Sequence, residues 1–286
     1  GGCCGTTPAH LRALRDSLAS EKPVAPLSRS TAAVSSARHT VVLEKNGSLT
    51  LIGSRMDATV NRELHQGLLT QDLTQARQAA RSQEKEGAQI LLLKTGIAGL
   101  DESKAVRQTL EALSPTMRPP LLIAAEKIET VERALRFYPG RPMVRIAGTQ
   151  AASLLPVVAK YGASPVLPMP MPDAIPASRA AVRQAVADAR IHGFARGEIV
   201  IDCTPRALDA EAVRSSLGMI SWCEQSLGCR TFLDLTGFGK DLPEPCWVQA
   251  FLLAAAQASG LTMALADPSV AETMKIRAAG DRFRGT

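Results

Sequence analysis

Two adjacent cysteines lie near the start of the chain, in the segment GGCCGTTPAH, where Cys3 and Cys4 are flanked by glycines. Cysteine thiolates are good zinc ligands, and such a pair looks like the end of a metal site. The six cysteines in 286 residues are irregularly placed, and no signal-peptide pattern precedes them. These features do not indicate a disulfide framework, so we expect reduced thiols and a cytoplasmic protein.

A second group of chemically active side chains closes or directly follows short apolar runs. Its members are Arg55, Asp57, Lys94, Arg145 and Asp202. If the runs are parallel strands, these acids and bases meet at one end of the sheet, where folds of this kind carry their chemistry. A plainer interpretation also stays open. An aspartate after a strand often caps the next helix, and Lys94 and Arg145 are able to pair with Glu126 or Asp202 at the rim.

The elements that would position these side chains repeat along the chain. Eight short apolar runs, each followed by a stretch with helical spacing of its apolar residues, begin at Leu49, Ala88, Pro120, Pro142, Ser164, Glu198, Arg230 and Leu261. Continuous apolar runs are typical of parallel strands that are buried on both faces. The pattern predicts an α/β fold, a closed (β/α)8 TIM barrel. A doubly wound open sheet is the alternative, which the absence of a glycine-rich phosphate loop weakens.

The chain divides before the barrel. Residues 1–20 contain a short helix pattern that begins after Thr7, and residues 21–38 are rich in proline, serine and alanine, as in a linker. We assign residues 39–286 to the barrel. The segment TVVLEKNGSLTLIG at the start of this region has two alternating runs, one on each side of Asn46-Gly47, a dipeptide that predicts a β-hairpin.

The composition and the apolar stretches of the chain argue against two classes of partner, nucleic acids and membranes. The net charge is +6 and the isoelectric point is near 9.2. However, basic residues are spread along the chain and only 3% of residues are aromatic, so we expect no nucleic-acid partner. The longest uncharged apolar stretch, residues 251–266, is interrupted by polar residues and falls short of the roughly 20 residues of a membrane span. We therefore expect no membrane association.

The first segment, GGCCGTTPAHLRAL, resembles the end of the homocysteine-binding domain of cobalamin-dependent methionine synthases. The resemblance implies that Cys3 and Cys4 are two of three thiolate ligands of a zinc ion that activates homocysteine. The third cysteine would then lie upstream, and residues 1–20 would be the terminal remnant of that domain.

The barrel resembles the methyltetrahydrofolate-binding module of the same family, which belongs with the dihydropteroate synthase-like barrels. The resemblance rests on the order of stretches such as LIGSRMDATVNRELHQG, LPVVAKYGA, VIDC, GFGKDLPEP and FLLAAAQASGLTMALADP. It implies a methyltransferase module that donates a methyl group from methyltetrahydrofolate to a corrinoid, for the methylation of homocysteine to methionine. The implied partners are an upstream homocysteine-binding domain and a corrinoid-binding protein or domain that carries cobalamin.

Several pocket positions depart from the family pattern. Asp202 stands where the family has its pterin-binding aspartate, and Arg55 is kept. Elsewhere the family's acids and amides are replaced by Ser54, Asp57, Leu92, Lys94, Ala124, Arg145 and Leu235, the last at the position of an amide that bonds near the pterin N5.

Two hypotheses follow from this pattern. In the first, the barrel is part of a methionine synthase-like methyltransferase and binds its substrate through Asp202, Arg55, Asp57, Lys94 and Arg145. In the second, it is a degenerate barrel that has lost folate binding, and it acts as a structural scaffold or binds a different, more anionic ligand. An unpartnered polar group of a bound pterin costs about 1–3 kcal/mol, so each replacement counts against folate binding.

Overall fold

The computed structural model describes residues 2–22, 32–45, 47–169 and 175–283. The chain divides into two units, Gly1–Ser30 and Thr31–Thr286. In the first unit, α1 (Pro8–Leu18) begins after Thr7, with a proline at its first position. The backbone N–H of Thr7 donates to Nδ1 of His10, 3.1 Å away. The helix predicted in residues 1–20 is therefore present.

The second unit is a closed barrel of eight parallel strands. Two short strands, β1 (Ala33–Ser35) and β2 (Thr40–Val42), precede it. The barrel strands are β3 (Thr50–Gly53), β4 (Ile90–Leu93), β5 (Leu121–Ala124), β6 (Met143–Arg145), β7 (Ser164–Pro168), β8 (Val200–Asp202), β9 (Arg230–Asp234) and β10 (Met263–Ala266). Each barrel strand pairs with the next one in the chain, and β10 returns to β3. The predicted TIM barrel is confirmed, and the open sheet is excluded.

The helices alternate with the barrel strands. They are α2 (Arg62–Thr70), α3 (Thr74–Lys85), α4 (Glu102–Leu113), α5 (Ile128–Phe137), α6 (Ala151–Lys160), α7 (Ile175–Ile191), α8 (Ala210–Trp222), α9 (Pro245–Ala258) and α10 (Ala271–Phe283). Polar side chains fix several helix starts. Asn61, Asp101 and Asp209 each accept a hydrogen bond from a backbone N–H in the first turn of α2, α4 and α8, respectively.

The strands are buried on both faces and separate two cores. One face fills the barrel with residues such as Leu92, Met143, Val200 and Phe232. The other face packs against the helices. Because side chains alternate along a strand, the residue two positions after an inward-facing one also points inward, at the carboxyl end of the barrel. This rule identifies the side chains that surround the opening at the carboxyl ends of the strands, here called the barrel mouth.

The hairpin predicted about Asn46-Gly47 is wrong. Asn46 lies outside the described residues, but β2 pairs antiparallel with β1, and β3 pairs with β4 and β10. The physical reason is that both edges of β3 are paired within the closed barrel, which leaves no edge for β2. β2 pairs instead with β1, at residues 33–35. Those residues fall in the stretch assigned to a linker, of which residues 23–31 lie outside the described part of the chain.

The β1–β2 ribbon packs at the amino end of the barrel. Val34 and Val41 are buried together with the residues that fill the barrel interior. The guanidinium Nε of Arg230, at the start of β9, donates to the carbonyl of Leu43, 2.6 Å away. The ribbon therefore covers the end opposite the mouth.

No helix in the described ranges is long and apolar enough to cross a membrane.

Replacing Gly140 by alanine tests the packing of the ribbon. A Cβ at Gly140 would clash with the carbonyl oxygen of Ser35 in β1 and lie 2.9 Å from Cα of Ser36. We expect Gly140→Ala to lower the free energy of unfolding by about 1–3 kcal/mol, as overpacking does. The matched control is Gly218→Ala in α8, where a Cβ meets no atom within 4 Å. That change should stabilise by about 0.5–1 kcal/mol. Urea denaturation measures both, and equal effects would contradict the packing argument.

Candidate functional site

A pocket of about 540 Å³ opens at the carboxyl ends of the barrel strands. Its walls combine apolar and charged side chains. Among the lining residues are Ser54, Asp57, Leu92, Lys94, Glu102, Ala124, Glu126, Arg145, Ile146, Asp234, Thr236, Lys240 and Leu265. Three of the predicted site residues, Asp57, Lys94 and Arg145, are therefore brought together here. Asp202 lies beside the same cavity, in a smaller depression that shares Arg145 with it.

Arg145 lies between two carboxylates at the mouth. Its Nε and Nη2 donate to Oδ2 of Asp202 at 3.1 and 2.8 Å. Its Nη1 donates to Oδ2 of Asp234 at 2.7 Å. The guanidinium carbon also lies 5.1 Å from the centre of the Phe232 ring, so the group stacks on the aromatic side chain below it. Arg145 therefore forms the ion pair with Asp202 that the sequence allowed, and Asp234 is a second partner of Arg145.

The second oxygen of each aspartate is bonded to its own loop. Oδ1 of Asp202 accepts from the backbone N–H and the hydroxyl of Thr204. Oδ1 of Asp234 accepts from the same two groups of Thr236, at 3.0 and 2.7 Å. The hydroxyl of Thr204 in turn accepts from the backbone N–H of Asp234, which links the two loops. Both carboxylates are therefore held in place without a ligand.

The two acids also keep Arg145 charged. Burial of the guanidinium disfavours its positive charge, but the nearby charges of Asp202 and Asp234 outweigh this effect, and the pKa of Arg145 is raised. Since arginine is protonated at any ordinary pH, Arg145 carries its positive charge between the two aspartates.

Lys94 forms a separate ion pair on the opposite side of the pocket. Its Nζ lies 3.4 Å from Oδ2 of Asp57 and 3.3 Å from the hydroxyl of Thr59. The segment after β3 continues alongside the end of β4, so that Asp57 and Lys94 form a parallel β-bridge. Because this bridge carries Asp57 to the lysine, Lys94 pairs with Asp57 and not with Glu126.

Arg55 does not line the pocket. Its Nη2 donates to Glu86, the residue directly after α3, and its Nε lies 3.5 Å from Oδ1 of Asp267 after β10. Its backbone carbonyl accepts from the side chain of Asn61. These contacts tie the loop after β3 to neighbouring elements at the rim.

Asp234 is a site residue that the sequence prediction missed. The resemblance places the family's amide at Leu235, but Leu235 is buried in the layer between strands and helices. Phe232 points inward, so the residue two positions later is the one that reaches the mouth. A repeated Asp-x-Thr/Ser pattern was an available signal. It occurs after four barrel strands, at Asp57, Asp202, Asp234 and Asp267, and each aspartate bonds to the hydroxyl two residues later.

Glu102 is a second residue that the sequence prediction missed. It lies at the first position of α4 and lines the pocket. Burial raises the pKa of Glu102, a hydrogen bond with Thr130 opposes this rise, and the charge of Glu126 adds to it. A carboxyl group of this kind holds its proton to higher pH than an exposed glutamate does.

The described part of the first unit contains two thiols that are able to bind metal. Cys3 and Cys4 are both exposed and reduced. Among the described residues, no group of three or more histidine, cysteine or acidic side chains lies close enough to hold a metal ion. Any zinc site that uses these thiols needs a further ligand.

The sequence is similar to part of the methionine synthases. No protein-family model matches the chain. The methionine synthase of Mycobacterium tuberculosis is 24% identical over 174 residues, which cover 58% of this chain and 15% of that protein. The methionine synthase of Mycobacterium leprae is 24% identical over 182 residues, again covering 58% and 15%. The chain therefore spans only 15% of the length of these curated relatives.

Solved structures of dihydropteroate synthases share the architecture. The Yersinia pestis enzyme with a pterine–sulfa conjugate has a TM-score of 0.66 and 14% identity, and the match covers 88% of this chain and all of that chain. A second structure of the Yersinia pestis enzyme has a TM-score of 0.66 and 14% identity, with 90% of this chain covered. The barrel therefore has the dihydropteroate synthase-like fold.

Proposed function

We propose that this chain is part of a methionine synthase-like methyltransferase, and that its barrel binds the pterin ring of methyltetrahydrofolate. The methyl group would pass to a corrinoid on a partner domain and from there to homocysteine. The observation that carries the proposal is Asp202, a carboxylate fixed at the end of β8 beside a pocket of about 540 Å³. The similarity to methionine synthases and the dihydropteroate synthase-like fold support it.

The pocket offers two kinds of surface to such a ring. A pterin has flat apolar faces and one edge whose amide and amino N–H groups resemble a guanidine. Leu92, Ala124 and Leu265 supply apolar surface, and a carboxylate is the natural acceptor for two parallel N–H donors. Asp202 is the carboxylate that we assign to this edge.

Methyl transfer also requires a proton. When the methyl group leaves N5 of the folate without the bonding electron pair, that pair stays on the nitrogen, which must be protonated or hydrogen-bonded to be a good leaving group. Leu235, buried behind the strands, cannot do this. We assign the role to Glu102, which lines the pocket and retains its proton more strongly than an exposed glutamate.

Zinc and cobalamin belong to other parts of the proposed enzyme. Cys3 and Cys4 would supply two thiolates to a zinc ion that lowers the pKa of the homocysteine thiol, and a third ligand would come from an upstream homocysteine-binding domain. Cobalamin would be the methyl acceptor on a corrinoid-binding domain. Neither group is assigned to the barrel.

A specific observation favours a second candidate function. Every oxygen of Asp202 is already bonded, to Arg145 and to Thr204. A barrel in which the carboxylate at the mouth already bonds to protein groups is able to act as a scaffold that has lost folate binding. A more anionic ligand is less well supported, because the charged lining of the pocket among the described residues comprises Asp57, Glu102, Glu126 and Asp234 against Lys94, Arg145 and Lys240.

Calorimetric titration with methyltetrahydrofolate tests the proposed function. We expect saturable binding by the wild-type chain. Asp202→Asn should weaken it about tenfold or more, since a carboxylate acceptor contributes about 1–3 kcal/mol to such a contact. The matched control is Asp267→Asn, because Asp267 forms the same type of turn after β10 but lines neither the pocket nor the depression beside it that contains Asp202. A folded wild-type chain that binds no folate would favour the scaffold instead.

The assignment of Glu102 predicts a dependence of stability on pH. The pKa of Glu102 is raised above 4.5 in the folded protein, so the folded state binds more protons than the unfolded state as pH rises past 4.5. Relative to Glu102→Gln, the wild-type chain should lose stability through this range. Urea denaturation of both proteins at pH 4 and pH 7 measures this difference. The stability gained by the variant should be larger at pH 7, and an equal or smaller gain would contradict the assignment.

A further inference from the structure

We propose that Arg145 is a specificity-determining residue that occupies Asp202 in place of the ligand. Its guanidinium presents to the carboxylate the same donor pattern as the edge of a pterin, so the ring binds Asp202 only when Arg145 moves away or is absent. This inference rests on the proposed function and adds a residue that limits it.

The hydrogen-bond geometry is the first support. Two N–H groups of one flat group, Nε and Nη2, point at a single oxygen of Asp202, at 3.1 and 2.8 Å. The edge of a 2-amino-4-oxopyrimidine ring carries two N–H donors on nitrogens that are bonded to one carbon in one plane, as in a guanidinium. A pterin at Asp202 would need the same oxygen, Oδ2, that Arg145 uses. The two groups are therefore alternative occupants of Asp202.

The second support is the way in which Arg145 is held. Its third donor, Nη1, bonds Asp234 at 2.7 Å, and the guanidinium stacks on Phe232. Charge-assisted hydrogen bonds are stronger than those from a neutral donor such as a pterin edge. A neutral ring that displaces Arg145 exchanges stronger bonds for weaker ones. Arg145 should therefore lower the affinity of the site for an uncharged pterin.

The ion cluster also explains why Arg145 is not merely a surface residue. Only 30% of its side chain is exposed, and Asp202 and Asp234 are 11% and 16% exposed. Exposed ion pairs contribute little to stability, but a partly buried carboxylate without its partner is unfavourable. Removal of Arg145 therefore has two separable effects: it frees Asp202 for a ligand, and it leaves two neighbouring acids without a counter-ion.

The test uses two variants. Arg145→Met removes the donors while keeping an unbranched side chain over Phe232. The double variant Arg145→Met with Asp234→Asn also removes the repulsion between the two acids, so that a folded protein with a free Asp202 is available. Binding of methyltetrahydrofolate and of 6-hydroxymethylpterin, which lacks the rest of the folate, is measured by calorimetry after thermal melting has established folding.

The matched control is Arg141→Met. Arg141 precedes β6 at the amino end of the barrel, its side chain is also 30% exposed, and it forms a comparable ion pair with Glu198 at 2.7 Å. Loss of this pair should leave pterin affinity unchanged. An affinity gain in the Arg145 variants alone therefore reports on Asp202 and not on general loosening of the barrel.

We expect both Arg145 variants to bind both ligands about tenfold or more tightly than the wild type, because the ligand no longer competes with charge-assisted bonds. If the wild type binds folate and the folded variants bind no better, the inference is overturned while the proposed function stands. If only the variants bind, the inference stands and folate is not a ligand of the wild-type barrel. If no folded protein binds, both are wrong.

Discussion

The alternation of side chains along eight short, doubly buried strands is the constraint on which the barrel mouth depends. Inside the barrel the middle inward positions must be apolar, and a charge is tolerated only at the two ends of a strand, as at Arg230 and Asp234 of β9. Leu92 followed by Lys94, and Phe232 followed by Asp234, obey this rule. A shift of one residue would move the charge into the layer between strands and helices, where Leu235 lies instead.

Charges gathered at such a mouth must also neutralise one another. Arg145 does so across the barrel, since β6 pairs with β5 and β7, yet its side chain reaches the aspartates that end β8 and β9. The ion cluster thereby links β6 to two strands, β8 and β9, with which β6 does not pair. Breaking one partner of a partly buried cluster costs more than the intact cluster contributes, so these three side chains depend on one another.

The sequence predicted the barrel because its signal is local and repeated. Eight apolar runs with intervening helical patterns need no knowledge of long-range contacts. The errors arose where pairing is long-range. The partner of β2 lies in a stretch with linker composition, and the partner of Lys94 is set by the segment after β3, which continues beside β4 and forms the Asp57 bridge. The sequence prediction named Leu235 and not Asp234. Because side chains alternate along a strand, an error of one residue in its end assigns the wrong residue to the inward face.

The ion cluster of Arg145, Asp202 and Asp234 also bears on which ligands would bind at the mouth under the proposed function. Leu92 and Ala124 make one half of the pocket apolar, while Arg145, Asp202 and Asp234 make the neighbouring region a closed set of ions. The proposed pterin ligand would match this arrangement through its flat apolar face and through N–H donors like those of a guanidinium. Specificity is a difference between affinities, and an internal group with the ligand's own donor pattern lowers affinity for every candidate that matches it poorly. Under the proposed function, Arg145, which already bonds Asp202, would therefore determine the selectivity of this barrel as much as the open part of the pocket does.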